Sequence, residues 1–126
     1  MSKQLMEIVL PRLARPLYRH LERYWVGEID DDQFTERFEA ILRKQHAWLS
    51  KHGISDSQAA VAIHAALLVL SKSGLRAEAA ETGLPLEIIE YRAIKEAASE
   101  VSLNYDINER KVIHIISKIV AKYSEE

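Results

Sequence analysis

Residues 59–70 read AAVAIHAALLVL, and His64 is the one residue among them that is not apolar. A stretch this uniform is typical of a helix that is buried on nearly every side, whereas a surface helix keeps a polar face. The sequence therefore predicts an apolar central helix over residues 56–72. Five or six helices are expected to pack around it as an all-α bundle, with Leu67 and Leu70 among its buried residues.

The length and composition of the chain indicate one ordered globular domain. A chain of 126 residues is long enough to bury about two-thirds of its unfolded surface in one core. Hydrophobic residues make up 48% of the sequence and charged residues 29%, which is typical of globular proteins rather than of disordered tails. We therefore predict a single helical domain over residues 1–126.

Several features of the sequence predict a soluble cytoplasmic protein. The chain has no cysteine, which excludes disulfides and thiolate chemistry and suits a reducing compartment. The central apolar run is shorter than the about 20 residues that cross a bilayer. Glu7 and Pro11 interrupt the N-terminal segment at positions where a signal peptide requires continuous apolar residues.

Short polar motifs and glycines predict where several helices begin and end. Asp30 followed by Gln33 forms a capping-box pattern at the start of the second helix. Gly53 is expected to end that helix in a left-handed conformation. Gly74 is predicted to end the central helix, and residues 76–82 are predicted to form a short helix of their own.

Apolar residues at helical spacing predict the remaining helices and their inward faces. In the first helix these residues are Leu10, Leu13, Leu17, Leu21 and Tyr24. In the fifth helix they are Leu84, Ile88, Tyr91, Ile94, Ala98 and Val101. Pro11 and Pro16 are expected to kink or interrupt the first helix. Asp106 with Glu109 is expected to cap the last helix.

The sequence lacks the motifs of common metal and catalytic sites. None of the five histidines has an acidic residue three positions before it, and no two of them lie four positions apart. These are the spacings that helical iron and zinc sites use. A glycine-rich phosphate loop and a nucleophile elbow are also absent. We expect no cofactor, no metal ion and no catalytic residue, and we interpret His64 as a core histidine.

Four arginines recur at intervals of three and four residues in the first helix, which places them on one helical face. Residues 1–24 carry a net charge of +3, whereas residues 76–100 carry a net charge of −3. The arginine fork suits carboxylates and phosphates, so this face is the candidate partner-binding surface. The alternative is a solvated face that is paired in part with nearby acids. The candidate residues are Arg12, Arg15, Arg19 and Arg23 with Tyr18 and Trp25, and His20 lies beside them.

The segment AETGLPLEII, residues 80–89, resembles the turn of helix-turn-helix DNA-binding proteins. It has Ala79 four positions before Gly83, an apolar residue directly after the glycine, and a second helix. The resemblance implies a nucleic-acid-binding regulator that uses residues 76–96. Glu78 stands where the pattern has an apolar residue, and the glutamates of the second helix would repel phosphates. The residues that this alternative singles out are Pro85, Leu86, Tyr91 and Arg92.

Together these observations favour a non-catalytic adaptor or regulatory protein over an enzyme. We expect it to bind another protein through its charged helical faces and to associate with itself as a homodimer. Nucleic acid is the alternative partner, through the arginines or through the helix-turn-helix-like segment. A membrane partner is not expected.

Overall fold

A computed structural model describes the backbone of residues 3–123 and the side chains of all of these except Lys3, Gln4 and Trp25. This part of the chain forms six helices and no strand, so the predicted all-α helical bundle is confirmed. The helices are α1 (Lys3–Trp25), α2 (Asp31–Lys51), α3 (Asp56–Leu70), α4 (Lys72–Thr82), α5 (Leu86–Tyr105) and α6 (Glu109–Tyr123).

The described residues divide into two compact units, one that ends at Ala59 and one that begins at Ala60, so the division falls within α3. The first unit contains α1, α2 and the beginning of α3. The second unit contains the rest of α3 together with α4, α5 and α6. The single domain that the chain length predicts over residues 1–126 stays a prediction.

The apolar run of residues 59–70 lies in α3, and most of it is buried. Every residue of 59–66 except His64 is buried, which confirms the prediction of an interior apolar helix. Leu67 and Leu70 are half-buried, so the prediction that they are buried is wrong. The last turn of α3 is therefore the less enclosed part of this helix.

The end of α3 differs from the prediction. The helix stops at Leu70 rather than at Gly74, and α4 begins at Lys72 after a bend of 57°. Gly74 lies inside α4, where a glycine costs only about 1 kcal/mol relative to alanine, so neighbouring helical residues can override it. No single helix in residues 3–123 is long and apolar enough to cross a membrane, and α3 with α4 passes that test only as a bent pair.

In the first unit, α1 packs against α2. The helix α1 continues through Pro11 and Pro16, so the predicted interruption does not occur, and the kink at these prolines stays a prediction. Leu13 and Leu17 are buried on either side of Pro16. Burial of an apolar face contributes more to the stability of a helix in a protein than intrinsic propensity does, which explains why the helix tolerates the prolines.

Both predicted boundaries of α2 are confirmed. The Asp30 carboxylate accepts the Gln33 backbone N–H at 2.8 Å, and the Gln33 side chain accepts the Asp30 backbone N–H at 3.0 Å. At the other end, Gly53 has φ 77° and the Ile54 backbone N–H donates to the Leu49 carbonyl at 3.1 Å. These are the bonds of a capping box and of a Schellman ending.

In the second unit, α5 packs against α4 and α6. The buried residues of α6 are Val112, Ile116 and Val120. The buried residues of α5 are Ile89, Ile94, Ala98 and Val101. The predicted inward stripe is therefore right in the later turns of α5 and wrong at its start, where Leu84, Ile88 and Tyr91 are exposed.

In the first turns of α5 the buried residue is Ile89, which the predicted stripe does not include. Lys72 of α4 forms an ion pair with Glu90 at 3.4 Å, and both side chains are half-buried. At this level Ile89 is buried and Glu90 is half-buried, whereas Ile88 and Tyr91 are exposed. Ile88 lies about 100° away from Ile89 around the helix axis, because adjacent helical residues are separated by that angle.

The start of α6 also differs from the prediction. Asn108, rather than Asp106, accepts the backbone N–H of Lys111 at 3.2 Å. Asp106 adopts a left-handed conformation with φ 52° and ends α5. Asn108 directly precedes the first helical residue, Glu109, which is the position from which a side chain reaches the free N–H groups of the first turn.

Candidate functional site

The four arginines of α1 share one helical face, which we call the arginine face (Arg12, Arg15, Arg19 and Arg23). Leu13 and Leu17 are buried, whereas Arg12, Arg15 and Arg19 are exposed. The leucines and the arginines thus occupy different faces of α1, and burial of the leucines turns the guanidinium groups toward solvent. The amphipathic pattern of α1 sets this orientation.

Two of the four arginines are engaged by other side chains. The Arg12 guanidinium lies over the ring of Trp48 at 3.8 Å from the ring centroid, in a cation–π contact. The Arg12 backbone carbonyl also accepts a hydrogen bond from Gln45 at 3.5 Å. Arg23 forms an ion pair with Glu28 at 3.1 Å. Arg12 and Arg23, at the two ends of the arginine face, therefore each contact another side chain.

The turn after α1 brings Glu28 to Arg23. Gly27 has φ 81°, and the Glu28 backbone N–H donates to the Arg23 carbonyl at 2.9 Å, as in a Schellman ending. The Tyr24 hydroxyl donates to the Asp31 carboxylate, and this hydrogen bond is the main cause that raises the pKa of Tyr24 above 10.0. The junction between α1 and α2 is thus fixed by backbone and side-chain bonds.

Arg15 and Arg19, at the centre of the arginine face, are different. Neither forms a hydrogen bond or an ion pair with any residue in the described part of the chain. Tyr18 lies between them in sequence, and 52% of its surface is exposed. The side chain of Trp25, the remaining candidate on this helix, lies outside the described residues.

A surface depression of about 400 Å³ opens beside these arginines. We call it the arginine pocket, and it is lined by Arg15, Pro16, Arg19, His20 and Arg23. The lining includes three guanidinium groups and no acidic residue. Such a surface attracts anions, because each guanidinium presents several N–H donors together with a fixed positive charge.

His20 is the one member of the arginine pocket with an unusual environment. Its Nδ1 atom is buried and has no hydrogen-bond partner in the described residues. In contrast, Nδ1 of His52 lies 2.9 Å from the carbonyl of Trp48, four residues earlier on the same helix. Partial burial lowers the pKa of His20 from 6.5, and the positive charges of Arg37, Arg23 and Arg19 lower it further. Both effects favour the neutral form of the His20 ring.

The lowered pKa of His20 predicts how it contributes to stability as the pH changes. Below its ordinary pKa of 6.5 the unfolded chain gains a proton at His20 that the folded protein does not yet accept. The free energy of unfolding should therefore decrease as the pH falls from 6.5 to the lower pKa of the folded state, and this contribution should vanish in His20→Asn. Urea unfolding of both proteins across this range measures the difference. An NMR titration midpoint for His20 at or above 6.5 would contradict the prediction.

The helix-turn-helix-like segment consists of α4, a short turn and the start of α5. Gly83 in the turn has φ 75°, as the resemblance requires. Of the four candidate residues in this segment, Leu86 is half-buried and three are exposed, namely Pro85, Tyr91 and Arg92. Glu87 is exposed in the first turn of α5, where it places a negative charge beside these residues. The segment thus presents a mixed surface rather than a basic one.

The histidines and acids do not gather into a metal site within the described residues, where no group of three or more could hold an ion. His64, interpreted from the sequence as a core histidine, is half-buried and has polar contacts on both ring nitrogens. Its Nδ1 lies 2.8 Å from the Ala60 carbonyl, and its Nε2 lies 3.6 Å from the carboxylate of Glu100. These contacts account for a histidine in α3 without a ligand.

Comparisons of the chain with protein-family models, with curated proteins and with solved structures found no match. The residues and contacts of the two candidate surfaces are therefore the basis on which a function can be assigned. Of these surfaces, the arginine face has the higher density of positive charge and includes two unpaired guanidinium groups.

Sequence reasoning found the arginine face and missed the pocket in it. The spacing of the arginines predicts one face, but it does not show that Arg12 is held by Trp48 or that Arg37 lies near His20. Both of these partners belong to α2, so the packing of α1 against α2 determines them. The one sequence feature that could have indicated the arginine pocket is the position of His20 directly after Arg19.

Proposed function

We propose that the protein is a non-catalytic adaptor or regulatory protein that binds an acidic protein partner through the arginine face. The observation that carries this proposal is the pair of exposed, unpaired guanidinium groups of Arg15 and Arg19. Arg23 and Lys72 form ion pairs with Glu28 and Glu90. In contrast, Arg15 and Arg19 lie close together on one helical face with no acid paired to them in the described residues. Two adjacent arginines left without an acid are therefore available to a partner.

A protein partner is favoured over nucleic acid by the charge of the whole chain. Nucleic acid presents a continuous line of phosphates, and a chain with a formal net charge of −2 has no excess of cations to match that line. Two free arginines would neutralise only a few phosphates, and such binding is weak and strongly salt-dependent. On a protein surface the same arginines can meet single carboxylates and contribute to orientation and association rate.

The proposal includes self-association and a cytoplasmic location. Residues 76–100 carry a net charge of −3, so a second copy of the chain is one source of acids for the arginine face. The cysteine-free sequence suits the reducing conditions of the cytoplasm. Native mass at low and high salt measures the self-association directly.

Reversing the charge of Arg15 and Arg19 should abolish partner binding and leave the fold intact. We expect Arg15→Glu with Arg19→Glu to melt like the parent protein, because exposed pairs contribute only about 0–1 kcal/mol each. The same variant should lose the partner captured from a lysate of the source cells at about 0.1 M salt, where charges at contact range are still effective. Capture should be insensitive to nuclease.

The matched control is Arg43→Glu with Lys44→Glu, which makes the same change of charge at two exposed residues of α2 outside the arginine pocket. This control should retain the partner. Equal retention by both double variants would show that the arginine face is only solvated. Capture that nuclease removes, with loss of duplex DNA binding in the Arg15 and Arg19 variant, would instead favour the nucleic-acid alternative.

A further inference from the structure

We propose that the arginine pocket binds a phosphate monoester group, and that the partner carries this group as a phosphorylated side chain. The inference rests on the proposed function, because Arg15 and Arg19 serve both. It adds the chemical identity of the group that the partner places against the arginine face.

The arrangement of the three lining arginines suits one compact oxyanion. Arg15, Arg19 and Arg23 follow one another at intervals of four residues on a single helix, so their Cα atoms rise by about 6 Å per step along the axis. Arginine side chains are long enough to converge from these positions on a group above Arg19. Each can offer a two-pronged set of N–H donors to phosphate oxygens.

The charge of the pocket favours a phosphate monoester over a carboxylate. No acidic residue lines the pocket, and the charge of Arg37 reaches it from α2. A phosphate monoester carries a charge of about −1.5 to −2 at pH 7 and three strong acceptor oxygens, whereas a carboxylate carries one charge. The larger charge and the additional acceptors use all three guanidinium groups at once.

The ion pair of Arg23 with Glu28 does not block this role. The two side chains are 45% and 59% exposed, so the pair is hydrated and weak. A dianion in the pocket can share the Arg23 guanidinium, which has five N–H donors, without displacing Glu28. Arg15 and Arg19 have no competing partner in the described residues.

His20 adds a neutral donor to the pocket wall. An N–H group buried without an acceptor is rare, so the proton of the neutral ring belongs on Nε2 rather than on the buried, unpaired Nδ1. In this tautomer the Nε2–H group is free to donate to a ligand or to water. The depression, with a volume of about 400 Å³, has room for a phosphate group against these donors.

The first arm of the test uses phenyl phosphate as the probe and the isolated protein. We expect saturable changes in the NMR signals of residues 15–23 at pH 7.5 and constant ionic strength, with inorganic phosphate binding at the same residues and acetate binding more weakly. Arg15→Gln with Arg19→Gln should weaken the binding at least about tenfold, because charge-assisted hydrogen bonds are lost. The control Arg43→Gln with Lys44→Gln should bind like the parent.

The second arm repeats the lysate capture after phosphatase treatment of the lysate. Saturable phosphate binding together with phosphatase-sensitive capture supports the inference. The inference is overturned if the signal changes follow ionic strength without saturation, or if they persist in Arg15→Gln with Arg19→Gln. If capture still requires Arg15 and Arg19 in that case, the proposed function stands without the phosphate. In a third outcome, the protein binds phosphate while capture of the partner survives both phosphatase treatment and charge reversal. That result overturns a phosphorylated protein partner and indicates that a small phosphate ester supplies the phosphate group.

Discussion

Replacing Ala62 by aspartate should lower the free energy of unfolding by about 3–5 kcal/mol or prevent folding, because it leaves a carboxylate buried without a partner. Ala62 lies at the middle of the apolar run in α3 and is fully buried. The carboxyl group can avoid this cost only by taking up a proton, which still leaves a polar group in an apolar site. Urea unfolding monitored by circular dichroism measures the effect.

The control for this prediction is Ala47→Asp, which makes the same exchange at an exposed position of α2. Aspartate is a poorer helix former than alanine by at most about 0.7 kcal/mol, and this term applies to both variants. Any additional decrease in the free energy of unfolding of Ala62→Asp therefore reports the burial of Ala62 in α3. Equal unfolding midpoints for the two variants would contradict the interior placement of this helix.

Replacing Leu13 by alanine should cost about 2–5 kcal/mol of stability through the lost apolar transfer energy and the cavity that remains. Leu13 is fully buried on the side of α1 away from the arginine face. Leu103→Ala is the matched control, because Leu103 is 83% exposed in α5. The control should change stability by no more than about 0.5 kcal/mol.

This comparison also tests how α1 is oriented. If Leu13→Ala unfolded at the same denaturant concentration as Leu103→Ala, Leu13 would not face the interior. The arginine face, which lies on a different side of α1 from Leu13, would then not face solvent. The basis for a binding surface on α1 would be lost.

The parts of the fold that the sequence predicted well are those that depend on local bonds or on a long apolar run. Asp30 and Gln33 lie three residues apart, so their reciprocal cap follows from the sequence alone. Gly53 ends α2 by adopting a backbone conformation that other residues rarely adopt. The apolar run of residues 59–70 predicted a buried helix, and every residue of 59–66 except His64 is buried.

The predictions that were wrong concern positions where contacts with other helices decide the outcome. Gly74 was expected to end a helix, but it lies inside α4 because glycine weakens a helix without breaking it. The apolar spacing of Leu84, Ile88 and Tyr91 predicted an inward face, yet these residues are exposed and Ile89 is buried instead. The helical period gives the angles between residues around the axis, and contacts with other helices determine which side of the helix faces the core.

The candidate site likewise combines features that could be predicted from the sequence with features that depend on packing. The spacing of the arginines was enough to predict a shared face on α1. Which of them are free could not be predicted, because Trp48 and Glu28 engage two of the four through contacts made on folding. The buried Nδ1 of His20 and the charge of Arg37 near it likewise depend on how α1 packs against α2.

The most direct measurement of partner binding is NMR mapping of the ¹⁵N-labelled protein with the captured partner. We expect the signal changes to concentrate in residues 12–23 and to disappear in Arg15→Glu with Arg19→Glu, while Arg43→Glu with Lys44→Glu behaves like the parent. Changes confined to residues 85–92, with residues 12–23 unaffected, would contradict binding through the arginine face and would favour the helix-turn-helix-like segment.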